Sequence, residues 1–158
     1  MPEPTSGRPR QMKDYGVPDD DARILPWSWA QERLEGSRNY WVSTVAADGA
    51  PHSAPVWGVW VDDVFYFDTG ATTKKARNIE ADARVTVTTE HADEAVIVHG
   101  RAEAVPPSVM TDRFDEVYAA KYGSSPPGQR YVVRPSHAFG FIEEASQFAA
   151  TATRWEFA

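Results

Sequence analysis

The spacing of apolar and polar residues changes period several times along the chain. In "LPWSWAQERLEGSRNY", residues 25–40, Trp29, Arg33 and Leu34 fall on neighbouring turns and predict a helix. Ser28 is placed as its cap, Gln31 as the second half of a capping box, and Gly36 as its stop. The period then shifts to two. "NYWVSTVA" reads as a strand, Asp48-Gly49 as a hairpin turn, and "PHSAPVWGVWV" as a long second strand. Asp62-Asp63 makes another tight turn before "VFYFDT", so three hairpin-linked strands form an expected meander.

A short helix is expected over Lys74 to Ala81, followed by a strand "ARVTVTTE" with Val85 and Val87 on one face. "AVIVHGRAEAV" is a further strand, and Gly100 inside it marks a bend or bulge. "PPSVMTDRFDEVYAAKYG" reads as a helix with Ser108 as cap, Gly123 past its end, and Val109, Phe114, Val117 and Tyr118 on one stripe. "RYVVRP", "HAFGFIEE" and "ATRWEF" are expected as further strands, and "SSPPGQ" as a loop. About six strands with hairpin spacing and short helices predict a mainly β fold, a small antiparallel barrel. Residues 1–21, rich in Pro, Gly and charge, are expected as a loose arm, with one domain over residues 22–158.

Composition narrows the function classes. The chain of 158 residues carries a formal net charge of -7, which argues against general affinity for nucleic acid. No apolar run approaches the ~20 residues that span a bilayer. The N-terminus lacks an apolar segment of secretory type. With no cysteine, thiolate metal sites and disulfides are excluded, in keeping with a reducing cytoplasm. His52, His91, His99 and His137 show no metal-ligand spacing, so no metal is expected. The six tryptophans serve the core, a dimer interface or the wall of a ring-binding cleft.

Against this acidic background, "FYFDTGATTKKARNIEAD" gathers three cations at the start of one helix. A helix beginning near Thr72 or Thr73 presents unpaired amides and the positive end of its dipole. Thr72 and Thr73 add hydroxyl donors, Lys74 and Lys75 add two charges, and Gly70 lets the backbone turn tightly just before, which makes a receptor for phosphate or another dense anion. Arg77 and Asn78 lie one turn on. The bland alternative is a solvated surface helix whose cations pair with Glu80 and Asp82. On the second strand, Gly58 beside Trp57 leaves room for a flat ring near the backbone. Trp57 and Trp60 are out of period-two register and are expected to face opposite sides.

The run "DGAPHSAPVWGVWVDDVFYFDTGATTKKARNIEADARVTV" resembles the pyridoxamine 5'-phosphate oxidase-like superfamily of split β-barrel flavoproteins. It is most similar to the branch that uses flavin or the deazaflavin coenzyme F-420. The resemblance implies a six-stranded antiparallel split β-barrel, and a homodimer with cofactor sites at the subunit interface. It implies that Thr73, Lys74 and Lys75 hold phosphate, that Asn78 lies near the phosphate and tail, and that Thr69 ends the neighbouring strand. Pro55, Val56 and Trp57 would lie on the strand whose backbone lines the ring, and Arg154-Trp155 resembles an Arg-containing C-terminal strand end.

Two departures shape the expected activity. Oxidases of pyridoxamine phosphate carry an Arg and a Lys on the strand matching "PHSAPVWGVW", and a Gln where this chain has Ala95. Neither feature is present, and the deazaflavin branch commonly lacks them too. The expected function is therefore hydride transfer from F-420 to a small unsaturated substrate, with catalytic side chains unassigned, because the cofactor supplies the reactive atom. The alternatives are an FMN-dependent oxidoreductase, or a non-catalytic flavin or haem protein.

Overall fold

The computed structural model describes residues 2–106 and 112–158. Nine strands form one sheet: β1 (Thr5–Gly7), β2 (Tyr40–Val45), β3 (Pro51–Val56), β4 (Gly58–Val61), β5 (Val64–Thr69), β6 (Arg84–Thr89), β7 (Glu94–Ala104), β8 (Gln129–Ile142) and β9 (Thr153–Glu156). Among the described residues four α-helices decorate it, α1 (Trp27–Gly36), α2 (Lys74–Ala81), α3 (Asp112–Tyr122) and α4 (Phe148–Thr151), with a single 3-10 turn at Lys13–Tyr15. The mainly β, antiparallel expectation holds, with nine strands instead of six.

The count differs for local reasons. The expected long second strand serves two partners: β3 pairs with β2, whereas β4 pairs with β5. Trp57 is the corner between them, so the expected meander is broken there. "RYVVRP" and "HAFGFIEE" fuse into the single strand β8, and Thr5–Gly7 adds β1 against β9. Arg8 anchors that segment by donating to the carbonyls of Ala150 and Ala152.

β8 is where the sheet splits. One edge pairs with β7 along most of its length; the other pairs with β5 over Gln129 to Val133 and with β9 over His137 to Gly140. The order β1-β9-β8-β7-β6-β2-β3, with β5 and β4 branching from β8, leaves the hydrogen-bond ladder open between β3 and the β4–β5 hairpin. The bulge expected at Gly100 is present as a register shift at His99/Gly100, where a Cβ would meet the Arg134 carbonyl at 2.3 Å.

Alternation fills the interior from both arms. Tyr40, Val42, Phe65, Phe67, Val85, Val87, Val96, Val98, Val133 and Trp155 are buried in one cluster. Trp27 and Trp155 meet edge to face at 5.3 Å, and Trp27 meets Trp60 at 6.1 Å, so three tryptophans belong to the core. A smaller cluster of Val59, Val61, Phe114 and Tyr118 lies between β4 and α3. Cap details differ from expectation. α1 starts at Trp27 behind Pro26 with no side-chain cap, so Ser28 lies inside the first turn. Ser108 and Val109 lie outside the described residues.

Candidate functional site

Thr73 caps α2. Its backbone is extended, its Oγ1 accepts from the Ala76 amide at 3.3 Å, and its carbonyl accepts from the Arg77 amide at 3.1 Å. The amides of Lys74 and Lys75 are then the ones that helix geometry leaves unpaired. Thr69 Oγ1 and Thr73 Oγ1 are 3.2 Å apart, tying the end of β5 to the helix start. Among the described residues, Lys74, Lys75 and Arg77 make no ion pair within 4.0 Å, and Asp82 is taken by Arg84 at 2.6 Å. The reading in which Glu80 and Asp82 neutralise these cations is thus not what the side chains do.

Beside this terminus is a cleft of about 490 Å³ lined by Pro55, Val56, Trp57, Asp68, Lys75, Tyr118, Ser124, Ser125 and Pro127. It brings together four residues singled out in the sequence: Pro55, Val56, Trp57 and Lys75. Thr69 and Thr73 are outside the lining: Thr69 follows Asp68 at the end of β5, and Thr73 precedes α2, which carries Lys75. Lys74 is exposed and outside the lining. Asn78 points inward: it is 5% exposed, and its Nδ2 donates to Oγ1 of Thr44, itself 2% exposed, at 3.0 Å. Its contact is internal, joining α2 to β2.

Trp57 and Trp60 do face opposite sides. Trp60 is 5% exposed in the core, whereas Trp57 is 41% exposed and stacks on Tyr122 with centroids 4.4 Å apart. Gly58 has a different reason from the one expected. A Cβ there would be 2.2 Å from Phe65 Cζ and 2.8 Å from the Tyr66 carbonyl, so the room it leaves is filled by the protein itself. Its backbone is also clamped: the Gly58 amide donates to Tyr122 Oη at 2.9 Å, and Lys121 Nζ donates to the Gly58 carbonyl at 3.0 Å and to Tyr40 Oη at 2.8 Å. Burial pulls the Lys121 ammonium down to about 8.

Lys75 is held below its ordinary value by partial burial, with the Asp68 carboxylate opposing that effect. Asp68 accepts from Tyr118 Oη at 2.9 Å and from the Gly128 amide at 3.1 Å. The wall made by Tyr118, Ser124, Ser125 and Pro127 escapes sequence reading. These residues lie far along the chain from β5, and only the return from α3 into β8 closes them over the cleft. Elsewhere, His99 and His137 are cross-strand partners with rings stacked at 4.5 Å. Among the described residues no group of three or more His, Cys, Asp or Glu is placed to hold a metal.

The arrangement offers an unpaired ammonium and helix amides at one end, and an aromatic and backbone wall at the other. That suits a flat ring with an anionic handle.

Comparison with known proteins agrees with this architecture. The family described as Pyridoxamine 5'-phosphate oxidase matches residues 29–145. A solved structure named F420 reductase is 27% identical, with a TM-score of 0.56 over 68% of this chain and 94% of its own. General Stress Protein 26 from Bacillus anthracis is 23% identical, with a TM-score of 0.59 over 72% and 91%. A FAD-binding protein from Mesorhizobium loti is 19% identical, with a TM-score of 0.59 over 84% and 96%. The search of curated proteins found no match. With the family match covering most of the chain and the open antiparallel sheet in place, this protein belongs to the pyridoxamine 5'-phosphate oxidase family.

Proposed function

We propose that the protein is an oxidoreductase that binds the deazaflavin coenzyme F-420 and serves hydride transfer to a small unsaturated substrate. The observation that carries this reading is the meeting, in one cleft, of unpaired Lys75 with the Val56–Trp57 corner. The 27% identity to an F420 reductase favours the deazaflavin over FMN. So does the lack of the Arg and Lys that pyridoxamine phosphate oxidases carry on this strand.

The residues present fit such a group. Lys75 and the Lys74 and Lys75 amides would hold the anionic part beside Thr73, whose hydroxyl donates to the Gly70 carbonyl at 2.9 Å and so shapes the helix start, while Pro55, Val56 and Trp57 would hold the ring. When bound, the coenzyme supplies a hydride donor or acceptor carbon. The protein's own contribution is position and exclusion of water. The Trp57–Tyr122 stack and the clamp of Lys121 and Tyr122 on Gly58 fix the corner wall. The Tyr118–Asp68–Gly128 bonds hold the opposite wall. Such preorganisation lets a bound ring meet substrate without rearrangement of the site.

A homodimer is part of the proposal. Register places Pro55, Trp41, Thr88, Ile97, Phe139 and Arg154 in one row across β3, β2, β6, β7, β8 and β9. Trp41 in that row is 47% exposed, and Pro55 belongs to the cleft lining, so a second copy on this face would border the site.

Titration of the purified protein tests the cofactor assignment. Coenzyme F-420 is expected to quench tryptophan fluorescence at micromolar concentration, with FMN at least tenfold weaker, and Trp57→Phe to remove most of the quench. Tighter binding of FMN would reverse the choice of coenzyme.

A further inference from the structure

The cleft contains a carboxylate where an anion site has no evident use for one. Asp68 lines the same cavity as Lys75, and its charge acts on that ammonium. Asp68 does not make an ion pair with Lys75 within 4.0 Å. Its two oxygens are instead fixed by Tyr118 Oη and the Gly128 amide, which hold the carboxylate in place at the cleft wall. The cation across the strand pair, Arg130, is engaged by Asp115 at 2.9 Å. Lys74 and Arg77 are exposed and lie outside the lining. Among the residues that line the cleft, Lys75 and Asp68 are the two charged groups, with the helix amides adding about half a positive unit and Arg38 lying over the Trp57 ring at 5.4 Å.

Resting on the reading of this cleft as a phosphate-bearing ring site, we propose that Asp68 is a specificity-determining residue that selects a singly charged phosphodiester over a doubly charged phosphomonoester. A diester meets Lys75 and the α2 amides with one negative charge at any ordinary pH. A monoester gains a second charge above pH ~6. That second charge gains attraction from Lys75 and meets repulsion from Asp68, since both groups line the same space. F-420 carries its tail through a phosphodiester and FMN ends in a monoester, so Asp68 discriminates between the two coenzymes by charge.

The test uses one ring with two handles: the 5'-phosphate of 8-hydroxy-5-deazariboflavin, and its methyl ester. Dissociation constants are read at pH 8 by ligand fluorescence for the native protein and for Asp68→Asn. The native protein is expected to bind the monoester within about threefold of the diester, because Asp68 offsets most of the attraction for the second charge. In Asp68→Asn the monoester should gain about tenfold relative to the diester, the effect of removing one nearby unit charge at a partly solvated site. An unchanged ratio between the two ligands overturns the inference while leaving the cleft reading intact. Failure of both ligands to bind the native protein overturns the cleft reading and the inference with it. If Asp68→Asn does not fold, the native protein alone decides. Its monoester-to-diester affinity ratio should rise by less than about threefold from pH 5 to pH 8, and a tenfold rise would refute the role of Asp68.

Discussion

Replacing Gly58 by alanine isolates what this glycine is for. The added methyl would be placed 2.2 Å from Phe65 Cζ, 2.5 Å from Phe65 Cε2 and 2.8 Å from the Tyr66 carbonyl oxygen. Ordinary contact at carbon needs about 3.5–4.0 Å, so something must move by more than 1 Å. Phe65 is fully buried against Tyr40 at 4.7 Å and Phe67 at 5.9 Å and has no free direction to swing. The carbonyl belongs to the β4–β5 ladder, and Gly58 itself is held by Lys121 and Tyr122. Overpacking of this kind costs about 1–3 kcal/mol, and the backbone contact points to the upper end. At about 2–4 °C per kcal/mol for a chain of this size, thermal unfolding should shift down by about 6–12 °C. Circular dichroism melts of both proteins at one pH measure it. A shift under 2 °C, accompanied by loss of ring binding, would refute the packing argument and return Gly58 to the role of making room for a ligand.

Three further outcomes follow from the contacts described. Asn78→Ala should cost about 1–3 kcal/mol, because it leaves the buried Thr44 hydroxyl without its partner, and should leave coenzyme affinity within about threefold; denaturant melts and titration separate the two effects. The Lys121 ammonium falls from 10.5 to about 8 on folding, so the unfolded chain binds more protons between those values and the unfolding free energy should rise with pH across that window. Urea midpoints at pH 7.5 and 8.8 test this, below the range where the raised tyrosines Tyr40, Tyr118, Tyr122 and Tyr131 act strongly in the opposite sense, and Lys121→Met should reduce the slope. Trp41→Asp, on the exposed row beside the cleft, should convert the proposed dimer to monomer in sedimentation velocity at micromolar concentration, whereas an unchanged sedimentation coefficient would place the interface elsewhere.

Much of this fold is legible in the chain because its signals are local. Asp48-Gly49 and Asp62-Asp63 are turns with positive φ at Gly49, Asp62 and Asp63, and each is written in neighbouring residues. Gly100 marks its bulge and Thr69–Lys75 its helix start for the same reason. What is illegible depends on partners far along the chain. Nothing in "PHSAPVWGVWV" says that its two halves pair with different strands, so the break at Trp57 and the nine-strand count are hidden there. Gly58 reads as space for a ligand because Phe65, which fills that space, comes from the next strand. Asn78 shares a helix with Lys74 and Lys75 but faces inward, because its position on α2 brings it onto Thr44 of β2. Asp68 is inconspicuous as a sequence position, since an acidic residue at a strand end is ordinary until Tyr118 and Gly128 close around it.

The central claim is that Lys75 and the start of α2 hold an anionic handle. Binding of coenzyme F-420 to Lys75→Ala, compared with the native protein at low salt, tests it most directly. Loss of a charge-assisted contact of about 1.5–3 kcal/mol predicts affinity weaker by about 10–150-fold, with the melting temperature within 2 °C of native. Equal affinity in the two proteins, with both folded, would contradict the account.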